Sequence, residues 1–252
     1  GAALLAALAP LGSWPALAGE LELHGVLAAR QTWTRGQASW LETGYGRLPE
    51  GAGGPRDDAF APRGQAHLAV DWKPSLAWQV HAHGVLHGEP SAYGGRRAGL
   101  VEAFVQFRPE LSVQTALRLR AGTFFPQTSL ENSEALWQSP YTLTLSALNT
   151  WAAEELRLTG LEGALQWESG QGDRLELAGA AFGLDDAAGA LIAWRGWSLG
   201  DRLTSAGELL PLPRLTSLAP GGAFEAQRGG TRPLDELDGR LGWQARARWS
   251  RP

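Results

Sequence analysis

The sequence predicts an all-β fold, an antiparallel up-and-down transmembrane β-barrel, and three observations carry the prediction. Apolar and polar residues alternate with a period of two along eight stretches. The connections between them alternate between short and long. Four tryptophans, Trp72, Trp78, Trp167 and Trp249, fall near stretch ends on the apolar side. A period of two sends successive side chains to opposite faces of a strand, so each stretch reads as a strand with one dry and one wet face.

Ahead of the first strand, residues 2–11 form an apolar run too short to cross a bilayer as a helix, which needs about 20 residues. Ser13, Trp14 and Pro15 follow, then Ala16, Leu17 and Ala18, an A-x-A cleavage pattern. The reading is a leader remnant over residues 1–18 and a barrel domain over 19–252, with a buried amphipathic helix as the alternative for the apolar run. The chain contains no Met, so residue 1 is not expected to be the native start.

The first strand sets Leu21, Leu23, Leu27 and Ala29 against Glu20, Glu22 and His24. In the second, Leu68, Val70 and Trp72 oppose Gln65, His67, Asp71 and Lys73. The third interleaves Leu76, Trp78, Val80 and Ala82 with Gln79, His81 and His83, and the fourth interleaves Val101, Ala103, Val105 and Phe107 with Glu102 and Gln106. The fifth has Leu117, Leu119, Ala121 and Thr123 against Arg118, Arg120 and Gly122. The sixth begins with Leu156 and Leu158 outward and continues with Leu161, Gly163, Leu165 and Trp167. That change of parity needs one extra residue, and Gly160 is the expected bulge. The seventh carries Leu175, Leu177, Gly179 and Ala181 against Arg174 and Glu176. The eighth carries Leu237, Leu241, Trp243, Ala245, Ala247 and Trp249 against Asp238, Arg240, Gln244, Arg246 and Arg248.

Tight turns are expected at 73–75, 108–112 and 169–173, and longer connections at 34–64, 88–97, 126–153 and 184–236. Short turns at one end and long loops at the other characterise an outer-membrane barrel, whereas a soluble sandwich with Greek-key crossings has no reason to keep that alternation. The tryptophans suit an interfacial girdle, or else fill a sandwich core. The chain stops at Arg251 and Pro252, without the terminal aromatic strand that usually closes such a barrel. The expectation is therefore eight strands here as the amino-terminal half of a barrel of about 16, truncated at both ends, with an eight-stranded barrel bearing four long loops as the alternative.

Composition removes several function classes. There is no Cys, hence no disulfide framework, cysteine-bound zinc, iron–sulfur cluster or thiol nucleophile. With 22 Lys+Arg against 26 Asp+Glu, the chain lacks the basic footprint of a nucleic-acid partner. A hydrophobic fraction of 44% is too high for disorder. Gly196, Trp197, Ser198, Leu199 and Gly200 match G-x-S-x-G, but all five histidines (24, 67, 81, 83, 87) precede Ser198, against the order of a hydrolase triad. Residues 190–202 read instead as a short amphipathic helix in the last long loop, and residues 51–54 lack the lysine of a phosphate loop. No enzyme and no cofactor are expected.

The run Arg120, Ala121, Gly122, Thr123, Phe124, Phe125, Pro126, with the segment from Leu136 through Trp137 to Tyr141 and with Asn149, Thr150 and Trp151, resembles proteobacterial outer-membrane porin-like proteins, the phosphate-selective type included. The resemblance covers mainly residues 19–181. It implies a monomeric or trimeric water-filled channel in a Gram-negative outer membrane, with lipid outside and small hydrophilic solutes or ions inside. Lys73 is the single lysine, so the lysine cluster of a phosphate filter is missing.

Connection 126–153 occupies the place of a loop that folds inward in many porins, and its Trp137, Tyr141 and Trp151 suit such packing. Glu131 and Glu134 would then face Arg118 and Arg120, setting a transverse field across a constriction that Glu102 and Arg157 also line. The alternative is a loop that caps the barrel or packs on a neighbouring subunit. Summed inward charge selects neither anions nor cations. A turn at 73–75 would set His67 opposite His81 and Gln65 opposite His83, which makes His67, His81 and His83 weak metal candidates with no carboxylate fixed beside them. The rival functions are a non-conducting barrel that binds a partner through its loops, and a soluble glycan-binding β-domain.

Overall fold

The computed structural model describes residues 3–10, 19–46, 48–52, 54, 56–88, 97–132, 136–137, 139, 142, 146–151, 155–196, 202–227, 229–235 and 239–251. Among the described residues, nine strands form one sheet in chain order, every neighbouring pair antiparallel. They are β1 (Ala3–Pro10), β2 (Glu20–Arg35), β3 (Asp58–Ser75), β4 (Trp78–His87), β5 (Ala98–Phe107), β6 (Thr115–Phe124), β7 (Leu158–Glu168), β8 (Arg174–Gly183) and β9 (Gly242–Ser250). The sheet is open, with β1 and β9 as its edges. Among the described residues, helix is confined to two α-helices, α1 (Ala147–Trp151) and α2 (Ala187–Arg195), and three short 3-10 turns. Eight strands are those read from the alternation. The ninth, β1, lies where a leader remnant is expected and pairs with residues 24–31 of β2.

The two faces of the sheet have opposite chemistry. On one, which the described parts of the long connections leave bare, sit Leu27, Leu68, Leu86, Leu119, Leu161 and Leu177, all exposed. From β2 to β9 this bare face carries no charged side chain within the strands except Arg35 and Asp58, which pair at 3.7 Å at the loop-side extremity. On the other face, which the connections cover, His67, His83, Glu102, Gln106, Arg120 and Glu162 are buried. A soluble sheet buries its apolar face, because removing apolar area from water stabilises by about 25 cal/mol per Å². Here that distribution is inverted.

Aromatic residues bound the bare face at both ends. Trp72, Trp78, Phe107, Trp167 and Trp249 stand on the turn side, with Trp78 packed on Phe107 at 4.6 Å between centroids. Trp33, Phe60 and Trp243 stand on the loop side, and Trp243 is 81% exposed. Strands β4, β5, β6 and β8 each hold 10 residues.

Three sequence expectations change in detail. The first hairpin turn is not at 73–75: β3 runs through Pro74 to Ser75 and the chain reverses at Leu76 and Ala77, with a register shift between Trp72 and Ser75. Proline has no N–H to give the ladder, so the irregularity falls around it. There is also no bulge at Gly160, because the pairing of β7 with β6 and β8 is unbroken from one end to the other. Leu158 instead faces the covered side and packs with Phe124 and Ala180. The parity change occurs in β5, where the register shifts beside His83 and Gly84, so that Val101 and Glu102 are both buried. The connection expected at 34–64 is shorter, since β2 extends to Arg35 and β3 begins at Asp58.

Apolar packing lies between the connections and the covered face. Leu136, 2% exposed, touches Val26 of β2 and Ala69 of β3. Phe125 packs on Val85 and Val101, with Trp137 and Leu203 beside it, and its ring stacks on that of Trp137 at 4.8 Å. Trp40 and Leu41 from the β2–β3 connection join Ala187, Ala188 and Leu191 of α2 with Leu210 and Leu212. Helix α2 ends at Gly196, φ 82°, whose N–H caps the Ile192 carbonyl. The helix expected at 190–202 is therefore present but shorter and starts earlier, while residues 197–200 of the G-x-S-x-G motif lie outside the described residues.

Candidate functional site

Because β-strand side chains alternate, every second residue of β2 to β9 contributes to the covered face, and antiparallel register brings them into rows. Two polar groups result, one on β2–β5 and one on β6–β9.

On β6–β9 the centre is Glu162, whose side chain is fully buried. Arg120 lies directly opposite on β6 and binds Glu162 Oε1 at 2.9 Å. Arg246 of β9 binds Oε2 at 2.6 Å and reaches Glu176 Oε1 at 3.2 Å, and Arg118 lies 3.4 Å from Glu162 and 3.7 Å from Glu176. Three guanidiniums thus face two carboxylates. Arg120 also lies 4.0 Å over the Phe124 ring, a cation–π contact on the same face.

On β2–β5, Asp71 lies opposite His81 and accepts at Oδ1 from Gln79 Nε2 at 2.6 Å, with His81 Nδ1 at 2.9 Å. Gln106 donates to Gln79 Oε1 at 2.6 Å. His67 Nδ1 and His83 Nε2 are 3.1 Å apart, a diagonal contact, since His67 pairs with Val85 and His83 with Ala69. Glu102 accepts the Phe125 N–H at Oε1, while its Oε2 lies 3.9 Å from both His81 Nε2 and His83 Nδ1. Toward the turn end, Glu22 Oε1 takes a 2.7 Å bond from Lys73, and His24 Nε2 lies 4.0 Å from Glu22 Oε2 and 3.8 Å from Asp71 Oδ2.

The sequence-read residues fall as follows. Arg118, Arg120 and Glu102 stand on the covered face, and among the described residues both arginines pair with Glu162, Arg118 reaching Glu176 as well. Glu131 accepts from the Ser146 N–H and from Ser146 Oγ, the latter at 2.7 Å, just ahead of α1. Glu134 and Tyr141 lie outside the described residues. Arg157 does not line an open wall: its guanidinium, 1% exposed, bonds Asp186 Oδ1 at 2.6 Å, Thr204 Oγ1 at 3.0 Å, the Thr204 carbonyl and the Val101 carbonyl, and so clamps two connections to β5. His67, His81 and His83 do share one patch, in a different register from that expected and with Asp71 and Glu102 beside them. The signal for Asp71 was present in Pro74, which moves the hairpin turn and slides His81 opposite the aspartate. Glu162 has the parity opposite to Leu161 and Gly163 and so falls on the polar face, but its pairing with Arg120 follows from the β6–β7 register alone.

No known protein family, curated protein or solved structure matches the chain.

Proposed function

We propose that this sheet is the wall of an outer-membrane channel through which small hydrophilic solutes or ions diffuse, without covalent chemistry and without a cofactor. The observation that carries the reading is the inverted sheet: a bare face of leucine, alanine, valine and glycine bounded by aromatics at both ends, backed by a hydrogen-bonded polar face. In lipid the first is favourable and the second needs water or ion pairing, which a lumen supplies. Strands of 10 residues tilted by about 40° cross a hydrocarbon band of about 25 Å. Closure of the sheet into a barrel and a monomeric or trimeric assembly belong to the same proposal.

The test is ion conductance of refolded protein in a planar bilayer under a salt gradient. Discrete current steps are the expected result, and the sign of the reversal potential reports whether the Arg118, Arg120 and Arg246 wall or the carboxylates dominate. Inserted, folded protein without steps removes the channel. One observation favours a second reading, a non-conducting barrel that binds a partner through its loops: Leu136, Phe125, Trp137 and Leu203 of the long connections fill part of the covered face.

A further inference from the structure

We infer that Glu22, His24 and Asp71 form a binding site for a first-row divalent transition cation on the covered face of β2 and β3. All five histidines of the chain lie on β2, β3 and β4, and the cluster at their turn-side end has three donor atoms converging on one point. His24 Nε2 lies 4.0 Å from Glu22 Oε2 and 3.8 Å from Asp71 Oδ2, and the three ligand atoms are mutually within 4.8 Å. Donors bound tetrahedrally at about 2.1 Å stand roughly 3.4 Å apart, so closure about a cation needs movements of about half an ångström.

The carboxylates are already oriented for this role. Asp71 uses Oδ1 for Gln79 and His81, leaving Oδ2 toward His24. Glu22 uses Oε1 for Lys73, leaving Oε2 toward His24. Holding one oxygen while presenting the other is what outer-sphere partners do in metal sites, and the imidazole selects a transition cation over magnesium or calcium. Charge points the same way, since three carboxylates, Glu20, Glu22 and Asp71, stand at this end against one ammonium, that of Lys73, which pairs with Glu20 at 3.6 Å and Glu22 at 2.7 Å. His24 and Glu22 are about one-third exposed, which gives a cation access. Behind Asp71, half-buried His81 and buried His83 hold ring nitrogens with no hydrogen-bond partner among the described residues, His81 Nε2 and His83 Nδ1, on either side of Glu102. The site stands on the wall of the sheet whether or not that wall encloses a conducting lumen.

Calorimetric titration of the refolded, detergent-solubilised chain with zinc chloride tests the inference, with electron paramagnetic resonance of the copper(II) form as the second readout. One equivalent of zinc is expected, with coupling to imidazole nitrogen in the copper spectrum. H24Q and D71N weaken zinc binding at least tenfold. K73Q, which frees Glu22 Oε1 and removes the competing ammonium, tightens it severalfold, a gain that loss of folding cannot mimic. H67A leaves affinity within twofold. Unchanged affinity in H24Q, weaker binding in K73Q, equal affinity for magnesium, or a loss in H67A as large as in H24Q would each overturn the assignment, the last by placing the cation on the His67–His83 pair.

Discussion

Glu162 is the residue on which the polar face turns. Its carboxylate is fully buried, and Arg118, Arg120 and Arg246 reach it from two different strands. Removing one partner of a buried ion network leaves charge uncompensated, which costs about 3–5 kcal/mol. Glu162→Gln is therefore expected to lower the stability of the refolded protein by about that amount, read as the midpoint of urea unfolding in detergent. Glu168→Gln is the control. Its pair with Arg174 is 2.9 Å long but largely exposed, and such pairs contribute under about 1 kcal/mol. Equal effects of the two substitutions would show that the Glu162 network is solvated and contributes no more than a surface pair.

At the scale of the strand, the bare face and the glycines of the covered face can be tested separately. Leu119 sits midway along β6, 43% exposed. Facing lipid, Leu119→Arg costs about 2–4 kcal/mol and lowers the yield of folded protein in vesicles. Facing water, the same change is near neutral and improves solubility, so a stability measurement in lipid decides the environment of the whole face. Gly122 lies across from Gly160, and its φ of 135° is one that side chains rarely adopt. A Cβ there would stand 2.3 Å from the Ala103 carbonyl oxygen. Gly122→Ala is thus expected to destabilise by about 1–3 kcal/mol through backbone strain, without altering the charge of either face. Strands β2 to β9 were legible from the alternation because one face is polar and the other apolar, and the common face of Arg118, Arg120 and Glu102 was legible with them, whereas β1 was not. What alternation could not supply was register. The displacement of the first turn to Leu76 and Ala77 re-pairs His81 with Asp71, and the shift in β5 rather than at Gly160 turns Val101 inward. Both depend on how neighbouring strands meet. Arg157 was misread for a related reason: its partners, Asp186 and Thr204, come from a connection whose path no local pattern encodes.

For the molecule as a whole, the question is how much of the covered face remains open once the connections have folded over it. Connection 126–153 is held there by Leu136, against Val26 and Ala69, and by Trp137, stacked on Phe125. Truncating a buried leucine or tryptophan to alanine costs about 2–5 kcal/mol, comparable to what keeps a single loop in place. The double substitution Leu136→Ala, Trp137→Ala is therefore expected to release this loop while the strand signal in circular dichroism stays constant, because neither residue belongs to the ladder. If the loop narrows a conducting lumen, single-channel conductance rises above that of the parent protein and becomes noisier. If the loop plugs a closed barrel, the parent is silent and the variant conducts. Silence in both, with protein shown to be inserted, would leave no role for the polar face in permeation. The loops anchored by Arg157 and α2 would then be the surface to test for binding, because they are the part of the structure built furthest from the requirements of the sheet.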